Sequence, residues 1–355
     1  MFITYMNKPF KTCLLHIGME KTGTTTVQQF LTANRQALIQ NNILYPITGG
    51  HQGSQYGFIF CANTKAWMSD IGRSLLIFNE EDRKQYEKKI KNDLQKEIVA
   101  NSNWDTLLIS SEHFHSRLTS IDEIAALRDF FSNYADDFRI VLYLRRQDRV
   151  AISHYSTKLK LGMPSPEIFP THTPISLDYY YDYEKIYDNW EKVFGASAIN
   201  IRFFDRSKYV NNDLLSDFCA ACNIDLTGKI VPPNKNESVN QAGVDFLLEL
   251  NRQVPRVIDQ KINPLHTGIV SIVSNICRGK NQPSSRSKAY EFYSFYRSGN
   301  ERLKSRIFPK QESPLFDEDF SEYPEHTECL GPRYEEAVQI CVQIYKTLIE
   351  RYEKK

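Results

Sequence analysis

His16-Ile17-Gly18-Met19-Glu20-Lys21-Thr22-Gly23-Thr24-Thr25-Thr26 joins a short apolar run, Thr12–Ile17 (TCLLHI), to an amphipathic one in which Val27, Phe30, Leu31 and Leu38 share a face. A buried strand, a glycine-bearing turn and a helix start, in that order, form the context of a phosphate-cradling loop. The glycines let backbone N–H groups approach an anion, and the helix start adds a favourable dipole. Gly18 and Gly23 have the spacing of a Walker A loop, but Thr24 stands where that pattern has its lysine. The lysine sits inside the loop instead, at Lys21. No compelling Walker B acid accompanies it, so ATP hydrolysis is disfavoured.

Outward from this segment, Thr106–Ile109, Phe138–Leu144 (FRIVLYL) and Ala198–Phe204 (AINIRFF) read as further buried strands. Between them lie helical patterns. Glu80–Ala100 repeats apolar residues at Tyr86, Ile90, Leu94 and Ile98; Ile121, Ile124, Leu127, Phe131 and Tyr134 share a face; Leu177–Phe194 runs to a stop at Gly195. Strand–helix alternation predicts an α/β fold, a parallel sheet flanked by helices. The C-terminal third offers no clear strand, and its last helix begins near Pro332. We therefore expect one domain over residues 1–355, with 232–355 as a mainly helical cap or extension. Cys219-Ala-Ala-Cys222 has redox or zinc spacing, but it falls inside the helical pattern of Leu214, Leu215 and Phe218 and reads as buried core.

Composition narrows the function. The 355 residues carry 44 Lys plus Arg against 43 Asp plus Glu, a net charge of +1. A chain that lives on nucleic acid normally needs a basic surplus, so that partner is excluded, although a local anion pocket is not. No stretch approaches 18 uninterrupted apolar residues, which excludes a membrane-spanning helix. The amino terminus has no long apolar core of a secretory signal, and the seven cysteines are scattered. A cytoplasmic location is the expectation.

HIGMEKTGTTTVQQFL, residues 16–31, resembles the 5′-phosphosulfate-binding loop of sulfotransferases that use 3′-phosphoadenosine 5′-phosphosulfate (PAPS). It is most similar to the carbohydrate sulfotransferases, whose loop commonly reads Lys-Thr-Gly-Thr-Thr. The resemblance implies that Lys21, Thr22, Gly23, Thr24, Thr25 and Thr26 hold the donor. It also implies a 3′-phosphate site made by an arginine at the end of a later strand and a serine eight residues on, which here are Arg145 and Ser153. The Val-Ala-Ile-Ser-x-Tyr run ending at Tyr155 fits the same pattern. The usual Asn-Pro after the arginine is replaced by Arg146-Gln147. Looser matches around IRFFDRS, NESVNQAGVDFLLELNR and LFDEDF resemble bacterial sulfotransferase-like proteins and assign no roles.

The resemblance implies PAPS as donor, adenosine 3′,5′-bisphosphate (PAP) as product and a glycan hydroxyl (or amine) as acceptor. The sulfuryl group carries less charge than a terminal phosphoryl group, so no metal is required. Lys21 is expected to neutralise the leaving phosphate, and a base is needed for the acceptor. Glu112, in Ser110-Ser111-Glu112-His113, is the first candidate because carbohydrate sulfotransferases often use glutamate. His113 is the second, by register with the cytosolic enzymes, and His51 in GGHQGSQYG is the third. A nucleotide kinase and a non-catalytic PAP- or PAPS-binding relative remain the competing classes.

Overall fold

The structure is a computed structural model and describes residues 8–50, 53–100, 104–164, 167–170, 178–233, 238–259, 261–281, 284–326 and 333–353. In chain order the first elements are β1 (Phe10–Gly18), α1 (Thr24–Ala33), α2 (Arg35–Gln40), β2 (Ile43–Leu44), α3 (Asp70–Ser74), α4 (Glu80–Val99) and β3 (Thr106–Ser110). There follow α5 (His113–Arg117), α6 (Ile121–Phe131), β4 (Ala135–Leu144), α7 (Gln147–Lys160), α8 (Asp178–Tyr181), α9 (Tyr183–Phe194), β5 (Ile199–Phe203) and α10 (Leu214–Cys222). The last are α11 (Gln241–Gln253), β6 (Val257–Ile258), β7 (Lys261–Ile262), α12 (Pro264–Ile276), α13 (Arg286–Ile307) and α14 (Tyr334–Glu353). Contacts group the chain into two compact units, one of residues 1–145, 175–233 and 305–307, the other of residues 146–174, 234–304 and 308–355. No helix among the described residues is long and apolar enough to cross a membrane.

The first unit is a five-stranded sheet of order β2-β3-β1-β4-β5, parallel throughout. Its central strands are buried along most of their length because Cys13–Ile17, Leu107–Ile109 and Ile140–Leu144 supply near-continuous apolar runs. Leu15 pairs with Ile109 on one side and Ile140 on the other. Beyond His16↔Val141 the register against β4 slips to Gly18↔Leu142, so β1 leaves the ladder where the glycine loop begins. Val27, Phe30 and Leu31 of α1 close one face together with Leu14, Leu108, Val141 and Tyr143. Leu215, Phe218, Cys219 and Cys222 of α10 join the same cluster, so the two cysteines are core.

The predicted α/β architecture is therefore present, with local differences. The helix after β1 breaks at Asn34, whose side-chain amide bonds back to the Phe30 carbonyl at 2.8 Å; Leu38 stays buried on the separate α2. The helix expected over Leu177–Phe194 is two helices, because the Asp182 carboxylate caps a new start by accepting from the Lys185 N–H at 3.0 Å. Gly195, at φ +82, ends it as expected. Two-residue β2 carries too little pattern to be seen in sequence.

The second unit begins with α7 and holds α11, α12 and α14, whose Val244, Leu247, Ile272, Val273, Ile340 and Ile344 pack with Tyr155 and Leu159. The C-terminal third is helical as expected, but Val257↔Ile262 and Ile258↔Lys261 pair as an antiparallel hairpin, β6–β7. All four of those residues are exposed, so no alternation marked it in the sequence.

Candidate active site

In a parallel sheet, ligands bind at the carboxyl ends of the strands where neighbouring connections leave in opposite directions. Here that point lies between β1, whose chain runs on to β2, and β4, whose chain runs on to β5. The glycine loop emerges at the end of β1 and Arg145 at the end of β4.

Gly18 (φ +64), Lys21 (φ +69) and Gly23 (φ +75) all take the left-handed conformation. A Cβ on Gly18 would lie 2.8 Å from Thr24 Cγ2 and 3.0 Å from Glu112 Cα. One on Gly23 would run into Leu214 and come within 2.8 Å of Phe204. The loop is therefore pressed between α1, α5 and the segment after β5, and both glycines are required by space as well as by dihedral. The buried Thr22 hydroxyl donates to the Met19 carbonyl at 2.6 Å and closes the turn from within.

The start of α1 has no side-chain cap and no acidic residue in its first turn. By contrast, α4, α6, α9 and α10 each begin on an Asn, Ser or Asp cap with an acidic residue in the first turn. The first amides of a helix have no intrahelical partner, and its N-terminus is worth about half a positive charge. Lys21, Thr25 and Thr26 bring a cation and hydroxyls to that end; Thr25 is exposed and Thr24 buried. Arg145 donates from Nη1 to the Lys21 carbonyl at 2.9 Å, and its guanidinium lies 5.2 Å from the Phe204 ring centre. The Tyr183 hydroxyl donates to the Arg145 carbonyl. Ser153 lies on α7 in the second unit and is half-buried.

Glu112 follows β3 and stands beside Gly18. Its Oε2 accepts from Gln28 Nε2 at 2.6 Å and from Ser54 Oγ at 3.2 Å, so the carboxylate is oriented by α1 and by the loop before Tyr56. His113 is next: its Nδ1 lies 3.6 Å from Glu20 Oε1, and its ring meets Tyr56 edge-on at 5.6 Å. Glu20 also takes a hydrogen bond from the Tyr180 hydroxyl at 3.3 Å. Glu112 and His113 are thus both brought to the loop, while His51 lies outside the described residues. Gln28, Ser54, Glu20 and Tyr180 were missed by sequence reasoning. Only Gln28 left a signal, a polar residue between Val27 and Phe30 on the buried face of α1, where it is 3 % exposed.

Arg146, which stands where the resembled pattern has Asn, has its contacts within its own unit. Within the second unit it is paired with Asp148 (Nε to Oδ1, 2.8 Å), donates to the carbonyls of Asp317 and Asp319, and lies 4.0 Å from the Phe320 ring centre. Gln147 exchanges amide hydrogen bonds with Asn300 at 2.9 and 3.2 Å. Among the described residues no group of three or more His, Cys, Asp or Glu is placed to hold a metal ion.

His16, fully buried in β1, has its Nδ1 2.8 Å from Ser110 Oγ and packs edge-on against Phe218. Burial lowers its pKa to about 3, so it is neutral in the fold. Because the folded value lies below the unfolded one, stability is full above about pH 6.5 and is lost progressively as pH falls toward 3. Between pH 7 and pH 5 this one residue costs about 2 kcal/mol. Urea unfolding of wild type and His16→Gln at both pH values checks it: the variant should lose less stability on acidification, and equal losses would refute the assignment.

These features define a parallel α/β protein with a glycine-bearing loop at the carboxyl end of its first strand. No protein-family model matches the chain. An uncharacterized protein of Archaeoglobus fulgidus is 26% identical over 256 residues, 70% of this chain and 64% of that protein, so the chain spans under two thirds of its length. Among solved structures, the chain is similar to a sulfotransferase from Alicyclobacillus acidocaldarius, with TM-score 0.42 and 12% identity over 83% of this chain and 94% of that one. It is also similar to the sulfotransferase domain from the curacin biosynthetic pathway, with TM-score 0.32 and 12% identity over 95% and 98%. Both likenesses are too distant to assign an activity to this chain.

Proposed function

We propose that the chain is a sulfotransferase that moves a sulfuryl group from PAPS to an acceptor hydroxyl or amine, with a carbohydrate hydroxyl as the favoured acceptor. The observation that carries the reading is the meeting of the Lys21 loop and Arg145, 2.9 Å apart, at the switch point of the sheet. One small donor with a 5′-phosphosulfate and a 3′-phosphate suits a lysine-bearing loop and an arginine at adjoining strand ends, and a lysine inside the loop suits it better than ATP. Arg145 offers the planar, multidentate donor that phosphate favours.

Bound PAPS supplies an activated sulfuryl group on a good leaving phosphate. Lys21, the first amides of α1 and the hydroxyls of Thr25 and Thr26 face the charge that develops as the sulfur–oxygen bond to that phosphate breaks and its electron pair stays with the departing PAP. Glu112 takes the proton of the acceptor as its oxygen or nitrogen bonds to sulfur. Gln28 and Ser54 hold Oε2, which leaves the orientation of the carboxylate set before the acceptor arrives. His113, beside Glu20, is the second candidate for that proton.

Calorimetry with PAP tests the donor site: wild type should bind, and Lys21→Ala and Arg145→Ala should bind weakly. Tight binding of ATP–Mg²⁺ with none of PAP would favour a kinase and overturn the reading. Transfer of labelled sulfate to a panel of glycans then separates an enzyme from a non-catalytic binder. In that assay Glu112→Gln should lower kcat about 10²-fold; an unimpaired variant would move the role to His113.

A further inference from the structure

Arg145 makes a contact that reading a 3′-phosphate does not need. Its Nη1 donates to the carbonyl of Lys21, the non-glycine residue that takes a left-handed conformation at the centre of the loop. The same Phe204 ring that underlies the guanidinium also presses on Gly23, two residues further along the loop. The Arg145 backbone is anchored in turn by the Tyr183 hydroxyl. A left-handed non-glycine residue is strained and persists where its surroundings hold it. Here the holder is a charged donor on a neighbouring strand end, stacked on an aromatic ring that gauges the next glycine.

From this we infer that Arg145 is a positioning residue for the donor loop: it holds Lys21 and Gly23 in their anion-binding conformation, in addition to any phosphate it contacts itself. The ligand arm of the test rests on the donor reading above; the exchange arm does not. The loop is shaped before the donor binds, and the two ends of the donor are sensed through one side chain, so the 5′ site depends on an arginine assigned to the 3′ site.

The decisive ligand is adenosine 5′-phosphosulfate, which lacks the 3′-phosphate. Arg145→Met keeps an unbranched stem over Phe204 and removes every donor; it should bind this ligand about tenfold more weakly than wild type. In the free protein, amide exchange at Lys21, Thr22 and Gly23 should be about tenfold faster. Arg145→Lys, which keeps a cation, serves as the second variant, with thermal melts confirming that each is folded. If a folded Arg145→Met variant loses PAP but binds adenosine 5′-phosphosulfate like wild type, or leaves loop exchange unchanged, the bracing role is refuted. If wild type binds neither nucleotide, the donor reading falls, and the exchange result still decides the brace.

Discussion

Replacing Lys21 with alanine should lower kcat/KM for sulfuryl transfer about 10³-fold while leaving the melting temperature nearly unchanged. The two halves of that expectation have separate causes. Lys21 is left-handed at φ +69, and alanine carries the same Cβ, so the backbone strain is the same in both proteins. The Arg145 hydrogen bond goes to the Lys21 carbonyl, which every substitution retains. On the proposed reading, what is removed is a cation at the place where the leaving phosphate gains charge. An interaction that strengthens as the bond breaks acts on kcat, whereas one equally strong in the ground state acts on KM alone. A rise in KM with kcat intact would place Lys21 in donor binding only, and a loss below about tenfold in kcat/KM would remove it from the leaving group.

Asp148→Ala should destabilise the protein by about 3–5 kcal/mol, the cost of leaving a buried charge without its partner. Arg146 is 2 % exposed and Asp148 is fully buried. The carboxylate accepts from Arg146 through both oxygens, at 2.8 and 3.0 Å, and from the Tyr323 hydroxyl at 2.5 Å. Removing it takes the close carboxylate from a buried guanidinium, which keeps the Asp317 and Asp319 carbonyls and the Glu322 carboxylate at 3.5 Å, and takes the acceptor of the Tyr323 hydroxyl. The double variant Arg146→Met/Asp148→Leu should recover most of the loss, since an apolar pair of similar volume carries no desolvation cost. Denaturant unfolding of the three proteins reads the result. Should the double variant prove as unstable as Asp148→Ala, the loss would lie in packing and the ion pair would not be its cause.

This pair and the Gln147–Asn300 exchange account for the two residues that stand directly after Arg145. Position 146 is occupied by a residue committed to Asp148 and the 317–320 segment, and position 147 by one committed to Asn300. The sequence displayed three arginines in a row of five residues with nothing to separate their duties. Asp148 lies two residues from Arg146, but the Lys21 carbonyl, the Asp317 and Asp319 carbonyls and Glu322, which separate the three arginines, lie more than 100 residues away in the chain.

What the amino-acid sequence determined alone is what depends on neighbours along the chain. Apolar runs marked four of the five strands of the main sheet, helical spacing marked the long helices, and glycine, lysine and threonine in order marked the loop between β1 and α1. These properties are set by backbone propensity and by side chains a few residues apart. The tertiary structure decided what depends on parts brought together: that Arg145 grips the Lys21 carbonyl across 124 residues, that Gln28 and Ser54 orient Glu112 across 84 and 58, and that Glu20 faces both His113 and Tyr180. Parallel strands are paired through long crossovers, so groups that meet at their carboxyl ends are necessarily remote in sequence. The loop could be read as a line of residues; the site around it exists only once the sheet has ordered its strands.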